Sequence, residues 1–184
     1  MLTLNSVSGG KSSAFIYANY PSDINVFALV RIENHKFKWR SGKDEPTRQK
    51  ISDRIGCEFV GTAEQDEIIY TILDLEQQFG REIKIISPLT FEALIRDRKG
   101  FLPSPSRRFC TTMMKIEPIF NYLYARNLYP VETRIGFRKG EEDRKEKALS
   151  SLSDDGFQYM YKRTTQKPNS RYFNREHVKY RKKS

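Results

Sequence analysis

Apolar positions along this chain come in short runs separated by helical stripes, and the alternation sets the reading of the fold. Met1-Leu2-Thr3-Leu4 is a first apolar run, and Ala14-Phe15-Ile16-Tyr17-Ala18 follows a glycine turn, so the opening reads strand, turn, helix. The spacing predicts that helix from Ser12 to about Tyr20, ended by Pro21-Ser22-Asp23. Ile24 to Val30 is nearly continuous in apolar, branched residues, as in a strand buried on both faces. Together these make a right-handed βαβ unit.

The pattern then breaks. Residues 33–62 read as an excursion inserted into the main fold. It carries a basic and aromatic cluster, His35-Lys36-Phe37-Lys38-Trp39-Arg40, that either covers a substrate or forms a packing knob. A helix starts at Glu45-Pro46-Thr47, shows Ile51 and Ile55 on one face and stops at Gly56. Cys57 to Val60 reads as a short edge strand, with Cys57 in the core. The clearest helix opens at Thr62-Ala63-Glu64-Gln65, carries the stripe Ile68, Ile69, Ile72, Leu73, Leu75 and Phe79, and closes at Gly80.

Glu82 to Ile86 is the third strand. A helix from Thr90 to about Arg98 turns Phe91, Leu94 and Ile95 inward, and a Gly/Pro loop runs from Lys99 to Ser106. A docked helix follows with Ile116, Ile119, Phe120 and Leu123, then a fourth strand over Val131 to Phe137, a charged helix ending near Leu152, and a last strand at Phe157 to Tyr161. Strands alternating with helices predict an α/β fold on an open, mostly parallel sheet. The chain shows no internal repeat and no low-complexity block.

Bulk properties narrow this little. The 184 residues suffice for one domain with a sizeable core. No apolar run approaches the roughly 20 residues of a membrane helix, and the start lacks a signal segment, so no membrane partner and a cytoplasmic protein are expected. Two cysteines exclude a disulfide framework. His35 and His177 have no partner at ligand spacing, so no metal site is expected.

Charge changes the picture more. The net +10 is concentrated in residues 162–184, where nine bases face one acid, while residues 1–161 carry 24 bases and 22 acids. The chain therefore divides into a nearly neutral body, 1–161, and a basic tail, 162–184. The tail is either a solvated end or an arm for nucleic acid or another polyanion.

The candidate chemistry starts at Ser8-Gly9-Gly10-Lys11-Ser12-Ser13. Adjacent glycines allow backbone N–H groups to face one point, a helix N-terminus adds partial positive charge, and Lys11 adds a full one. These features suit an anion of phosphate size. Gly10-Lys11-Ser12 invites a Walker A reading, but Asn5 stands where that motif needs its first glycine. Arg107, Arg108 and Lys115 gather cations ahead of the docked helix, where guanidiniums suit bidentate phosphate or sulfate contacts. A strand ending at Gly136, followed by Arg138, puts another cation at a strand's carboxyl end.

The loop resembles the SGGxxS loop of the PP-loop ATP pyrophosphatases, the adenine nucleotide alpha-hydrolase superfamily. Arg108-Phe109-Cys110-Thr111 with Lys115 and Pro118 resembles the R-x-C-T-x-x-x-K-x-x-P signature of the phosphoadenosine phosphosulfate reductase-like branch. Ile135-Gly136-Phe137-Arg138 with Glu141 is similar to that branch's I-G-I-R-x-x-E element, and the order looks most like its short phage-encoded members.

The resemblance implies a three-layer fold, its sheet ordered 3-2-1-4-5 with helices on both faces, and an adenine nucleotide across the carboxyl edge. The base would be held by backbone near Ala28 and Leu29, and the phosphate or sulfate by Ser8, Gly9, Gly10, Lys11, Ser12 and Ser13. Arg108 and Lys115 would be supporting cations. Arg138, with Arg144, would reach the nucleotide from the other side, and Glu141 would fix Arg138.

Two departures from the family separate three functions. Many relatives carry Asp, associated with magnesium, where this chain has Ser12, so Mg2+ is an optional companion of the nucleotide. True reductases carry a late redox cysteine, and residues 111–184 have none. Cys110 itself is either a thiolate in a cationic setting or a core residue. The reading preferred is an enzyme acting at the α-phosphate of ATP or a related adenylyl compound, as a hydrolase or a transferase, with Lys11, Arg108, Lys115 and Arg138 in the chemistry. The alternatives are a reductase-like sulfur-transfer protein that binds adenylyl sulfate and borrows a partner's thiol, and a non-catalytic module binding nucleotide and nucleic acid. A homo-oligomer is compatible with all three.

Overall fold

The computed structural model describes residues 2–37, 39, 44–104, 107–128 and 131–134. In chain order the elements begin with β1 (Leu2–Ser6), α1 (Lys11–Asn19), β2 (Ile24–Ala28), β3 (Arg31–Ile32), a 3-10 turn (His35–Phe37) and α2 (Glu45–Ile55). They continue with β4 (Gly61–Thr62), α3 (Glu67–Phe79), β5 (Lys84–Ile86) and α4 (Phe91–Asp97). A continuous helical stretch then joins α5 (Phe109–Thr111), a π-helical segment (Thr112–Ile116) and α6 (Glu117–Ala125), and β6 (Val131–Arg134) follows.

Four strands form one sheet in the order β5-β2-β1-β6, every neighbour pair parallel, with helices packed on it; the protein is α/β. The strands expected from 135 onward, and the charged helix between them, lie outside the described residues.

Strand alternation sends side chains to two cores. Phe27, Leu29 and Ile85 face one side, with Val7, and meet Tyr17 of α1, Ile51 of α2, and Ile69, Ile72 and Leu75 of α3. Leu4, Val26 and Val131 face the other side and meet Leu123 of α6. A third cluster, Val30, Leu94, Met113 and Met114, closes the carboxyl end of β2. The π turn underlies that closure: Pro118 has no N–H to return to the carbonyl four residues back, and Glu117 N–H instead reaches Thr112 O. The widened turn buries both Met113 and Met114. Ile116, expected inward, is exposed on the same turn.

The described part of the excursion packs into the main core. β3 and β4 pair antiparallel, and Arg54 of α2 forks onto Glu76 of α3 at 2.6 and 2.7 Å. Trp39 is buried against Phe59 (5.5 Å between ring centroids) and Tyr70 (5.6 Å), so the ring is core and not a substrate lid. Two expectations fail here for related reasons. Residues 57–60 form no strand, and Cys57 is exposed: the left-handed cap at Gly56 turns the chain outward, and Phe59, fully buried, supplies the apolar contact. The next helix begins at Glu67, not Thr62, because Gly61–Thr62 is used by β4 and Thr62 is bonded through its hydroxyl to Val30 O.

Phe59→Ala should destabilise the fold by about 3–5 kcal/mol, and Cys57→Ala should stay within about 0.5 kcal/mol, both read from urea unfolding. A second expectation concerns Tyr70. Its hydrogen bond to Asp44, the α2 cap, pushes the phenol up to about 12. Ionisation of the unfolded phenol near pH 10 therefore begins to withdraw this contribution, which is gone above the folded value. A spectrophotometric titration should show Tyr70 ionising late, with Tyr17 also raised by its burial, and Asp44→Asn should return Tyr70 alone toward 10.

Candidate functional site

β1 ends at Ser6, and Val7 N–H extends its pairing to Val26 O (2.8 Å) before the chain leaves the sheet. Gly9 then takes φ +70, and a Cβ there would lie 2.9 Å from Ile68 Cγ2 of α3. Both the left-handed backbone and the close helix require glycine. Gly10 is extended (φ −83, ψ 156) and caps α1, its carbonyl accepting Ala14 N–H at 2.9 Å.

Ser13 braces the turn. Its hydroxyl donates to Gly10 O (2.9 Å), accepts Ser8 N–H (3.1 Å) and lies 3.0 Å from Ser8 Oγ. Among the described residues, the N–H groups of Gly9, Gly10, Lys11, Ser12 and Ser13 then reach no acceptor. α1 has no acid in its first turn, and Lys11 is exposed with no ion pair among the described residues. Unpaired N–H groups, a helix dipole and a lysine make this turn a site of positive potential.

The opposite end of α1 is anchored. Asn5 Nδ2 donates to Tyr20 O (2.8 Å), and Arg134 Nη1 donates to Tyr20 O (3.1 Å) and Pro21 O (2.8 Å). Arg81 donates to Tyr17 O and to Ala18 O (3.3 Å), its guanidinium 4.6 Å from the Tyr17 ring centroid.

Other expected residues gather on the same sheet edge. Lys115 is there but is ion-paired with Glu64, in the segment between β4 and α3. Glu64 is four residues before Ile68, the side chain that covers Gly9, so Lys115 and the glycine turn each contact the segment that leads into α3. Arg108 is exposed at the start of α5 with no ion pair among the described residues. Ala28 and Leu29 are buried; Leu29 N–H donates to Ile86 O (2.9 Å), and its carbonyl accepts from Ser87 Oγ (3.1 Å). Cys110 is half-buried and packs against the Val30–Met114 cluster. Gly136, Arg138, Glu141 and Arg144 lie outside the described residues, as does the tail.

Sequence reasoning missed Glu64 and Arg31. Arg31 pairs with Thr62 across β3 and β4, two residues before Glu64. Among the described residues, Arg31 Nε and Glu64 Oε2 are both buried without a hydrogen-bond partner. An orphaned donor and an orphaned acceptor lie within two residues of the Arg31–Thr62 pair, each carrying the cost of an unmade hydrogen bond. Nothing in the sequence marks them, because Thr62-Ala63-Glu64 looks like a helix's acidic first turn. Glu33 belongs to a separate clip: Arg96, first, and Thr90 hold its carboxyl below the usual range.

No protein-family model, no curated protein and no solved structure matches this chain. Among the described residues no helix is long and apolar enough to cross a membrane, and no group of three or more His, Cys, Asp or Glu side chains could hold a metal.

Gly9→Ala should cost stability from two sources, the φ strain and the Ile68 clash. In an Ile68→Ala background the same change should cost only the backbone part, about 1–2 kcal/mol. A double-mutant cycle by urea unfolding measures the difference.

Proposed function

We propose that this chain is a PP-loop nucleotide-binding enzyme that acts at the α-phosphate of ATP or a related adenylyl compound such as an adenylyl sulfate. The observation that carries the reading is the turn at Ser8–Ser13. It leaves the end of the central strand β1 with unpaired N–H groups and an uncommitted lysine among the described residues. The order of the four strands agrees with the first four places of a 3-2-1-4-5 sheet, and ligands of such open sheets lie beyond the carboxyl ends of the strands.

In this reading the N–H groups of the turn and Lys11 hold the pyrophosphate end of ATP. An acceptor's nucleophilic atom forms a bond to the α-phosphorus while the bridging oxygen on the β side leaves. The departing electron pair stays on pyrophosphate, whose charge the turn neutralises. The work of the protein is positioning and electrostatics. Ser12 in place of an acid means that a magnesium ion would be held chiefly by the nucleotide's own phosphates. In this reading Arg108 adds a guanidinium, and Arg138 and Arg144 complete the site in the family pattern. Cys110 packs in an apolar cluster and is given no role.

Lys11→Ala should weaken ATP binding about 10- to 100-fold, the scale of a charge-assisted hydrogen bond, with the fold unchanged by circular dichroism. Calorimetry with ATP and with adenylyl sulfate measures affinity, and release of AMP and pyrophosphate in the presence of candidate acceptors measures turnover. Tight binding of ATP with no AMP and no pyrophosphate from any acceptor would sink the enzymatic reading.

A further inference from the structure

The loop between α4 and α5 presents apolar side chains where solvent would disfavour them. Phe101 and Leu102 are 64% and 68% exposed, the most exposed large apolar residues among those described. Its described residues are held by backbone hydrogen bonds. Lys99 and Gly100 are both left-handed (φ 55 and φ 83), and Gly100 N–H returns to Ile95 O (2.9 Å) and Phe101 N–H to Arg98 O (3.1 Å). Ser104 and Arg107 close the far side, Arg107 N–H donating to Ser104 O at 3.0 Å.

From Arg98 to Arg108 the sequence has four basic residues and no acid. Among the described residues none of the four is in an ion pair, and Arg98 lies with its guanidinium 5.4 Å from the Phe109 ring centroid. The loop belongs to the same edge as the glycine turn. α4 and the π segment close the carboxyl end of β2 through Leu94, Met113 and Met114, and Lys115, one residue on, meets Glu64 beside the turn.

We infer that this loop is a docking surface for single-stranded nucleic acid, with Phe101 stacking on a base and Lys99, Arg107 and Arg108 contacting phosphates. An aromatic ring among cations, on a braced loop, is the arrangement that takes unpaired bases without reading them. An anionic bilayer fits less well. The side chains of Phe101 and Leu102 together carry fewer carbons than one myristoyl chain, which by itself gives only marginal membrane binding. An acidic protein would use the cations but leave the ring without a purpose. The surface stands on its own geometry and does not rest on the enzymatic reading above.

The test uses the full chain and a short oligothymidylate. The chain's single tryptophan, Trp39, is buried, so a Phe101→Trp variant adds a reporter at the loop. Oligothymidylate should quench that emission. Phe101→Ala should weaken binding about 5- to 150-fold, the range for one stacked base, without altering the salt dependence. Arg107→Ala should lower the slope of log K against log salt by about 0.7. Any of three results overturns the surface: emission unchanged at saturating oligonucleotide, Phe101→Ala binding as tightly as the parent, or a blue shift with phosphatidylserine vesicles and no quench by oligonucleotide. ATP affinity measured alongside separates the two ideas. Loss of the surface with ATP binding intact overturns this inference alone, and quenching without ATP binding overturns the nucleotide site alone.

Discussion

The asymmetric anchoring of α1 is the constraint on which the candidate site depends. A helix dipole places partial negative charge at its carbonyl end and partial positive charge at its amino end. Here the carbonyl end is occupied by Asn5, Arg81 and Arg134, from β1, the segment ahead of β5, and β6. Three separate elements therefore fix where α1 ends. Among the described residues the amino end has unpaired N–H groups and no acid in the first turn. Donors thus saturate the carbonyl end, while the amino end carries Lys11 and N–H groups with no acceptor among the described residues. Asn5 has a double significance. Its identity removes the Walker A alternative, and its side chain helps hold the helix that carries the glycine turn.

The second constraint is the packing that brings the distant half of the chain to that turn. Residues 109–118 are far from Ser8 in sequence, and they reach the same edge because the π segment buries Met113 and Met114 against Val30 and Leu94. A regular α-helix would turn adjacent residues about 100° apart and bury one methionine at the expense of the other. The wide turn relieves that conflict. Lys115, on the same wide turn, pairs with Glu64.

Much of the main frame was legible because its signals are local and agree with one another. The branched run at Ile24–Val30, the stripe on α3 and the glycines at 56 and 80 each point to the element observed. The glycine turn was legible for the same reason, since Gly9's φ and its contact with Ile68 leave room for no other residue. What failed was decided by tertiary competition. Thr62 could start a helix or pair in a ribbon, and Val30 O, offering an acceptor for both Ala63 N–H and the Thr62 hydroxyl, favoured the ribbon. Cys57 and Phe59 compete for one buried place, and the direction of the chain after Gly56 gives it to the phenylalanine. The Glu64–Lys115 pair joins residues fifty-one apart, and no local pattern encodes such a partner.

That pair also bears on how an anion would be accepted. Lys115 is matched by a half-buried carboxylate, so it adds little net positive potential while the pair persists. For Lys115 to serve a phosphate it would have to leave Glu64, whose other oxygen already lacks a partner. The cost of stranding that carboxylate would offset part of the gain, unless the ligand or Arg31, across the ribbon from Thr62, supplied it with a donor. A ligand that brings only phosphate would therefore meet Lys11 and the turn. A ligand that brings phosphate together with hydrogen-bond donors would also recruit Lys115 and satisfy Glu64. Nucleotides belong to the second kind, through their ribose hydroxyls and base amino group, and inorganic pyrophosphate to the first. On the proposed reading, a whole nucleotide would therefore engage this edge more fully than its phosphate fragment.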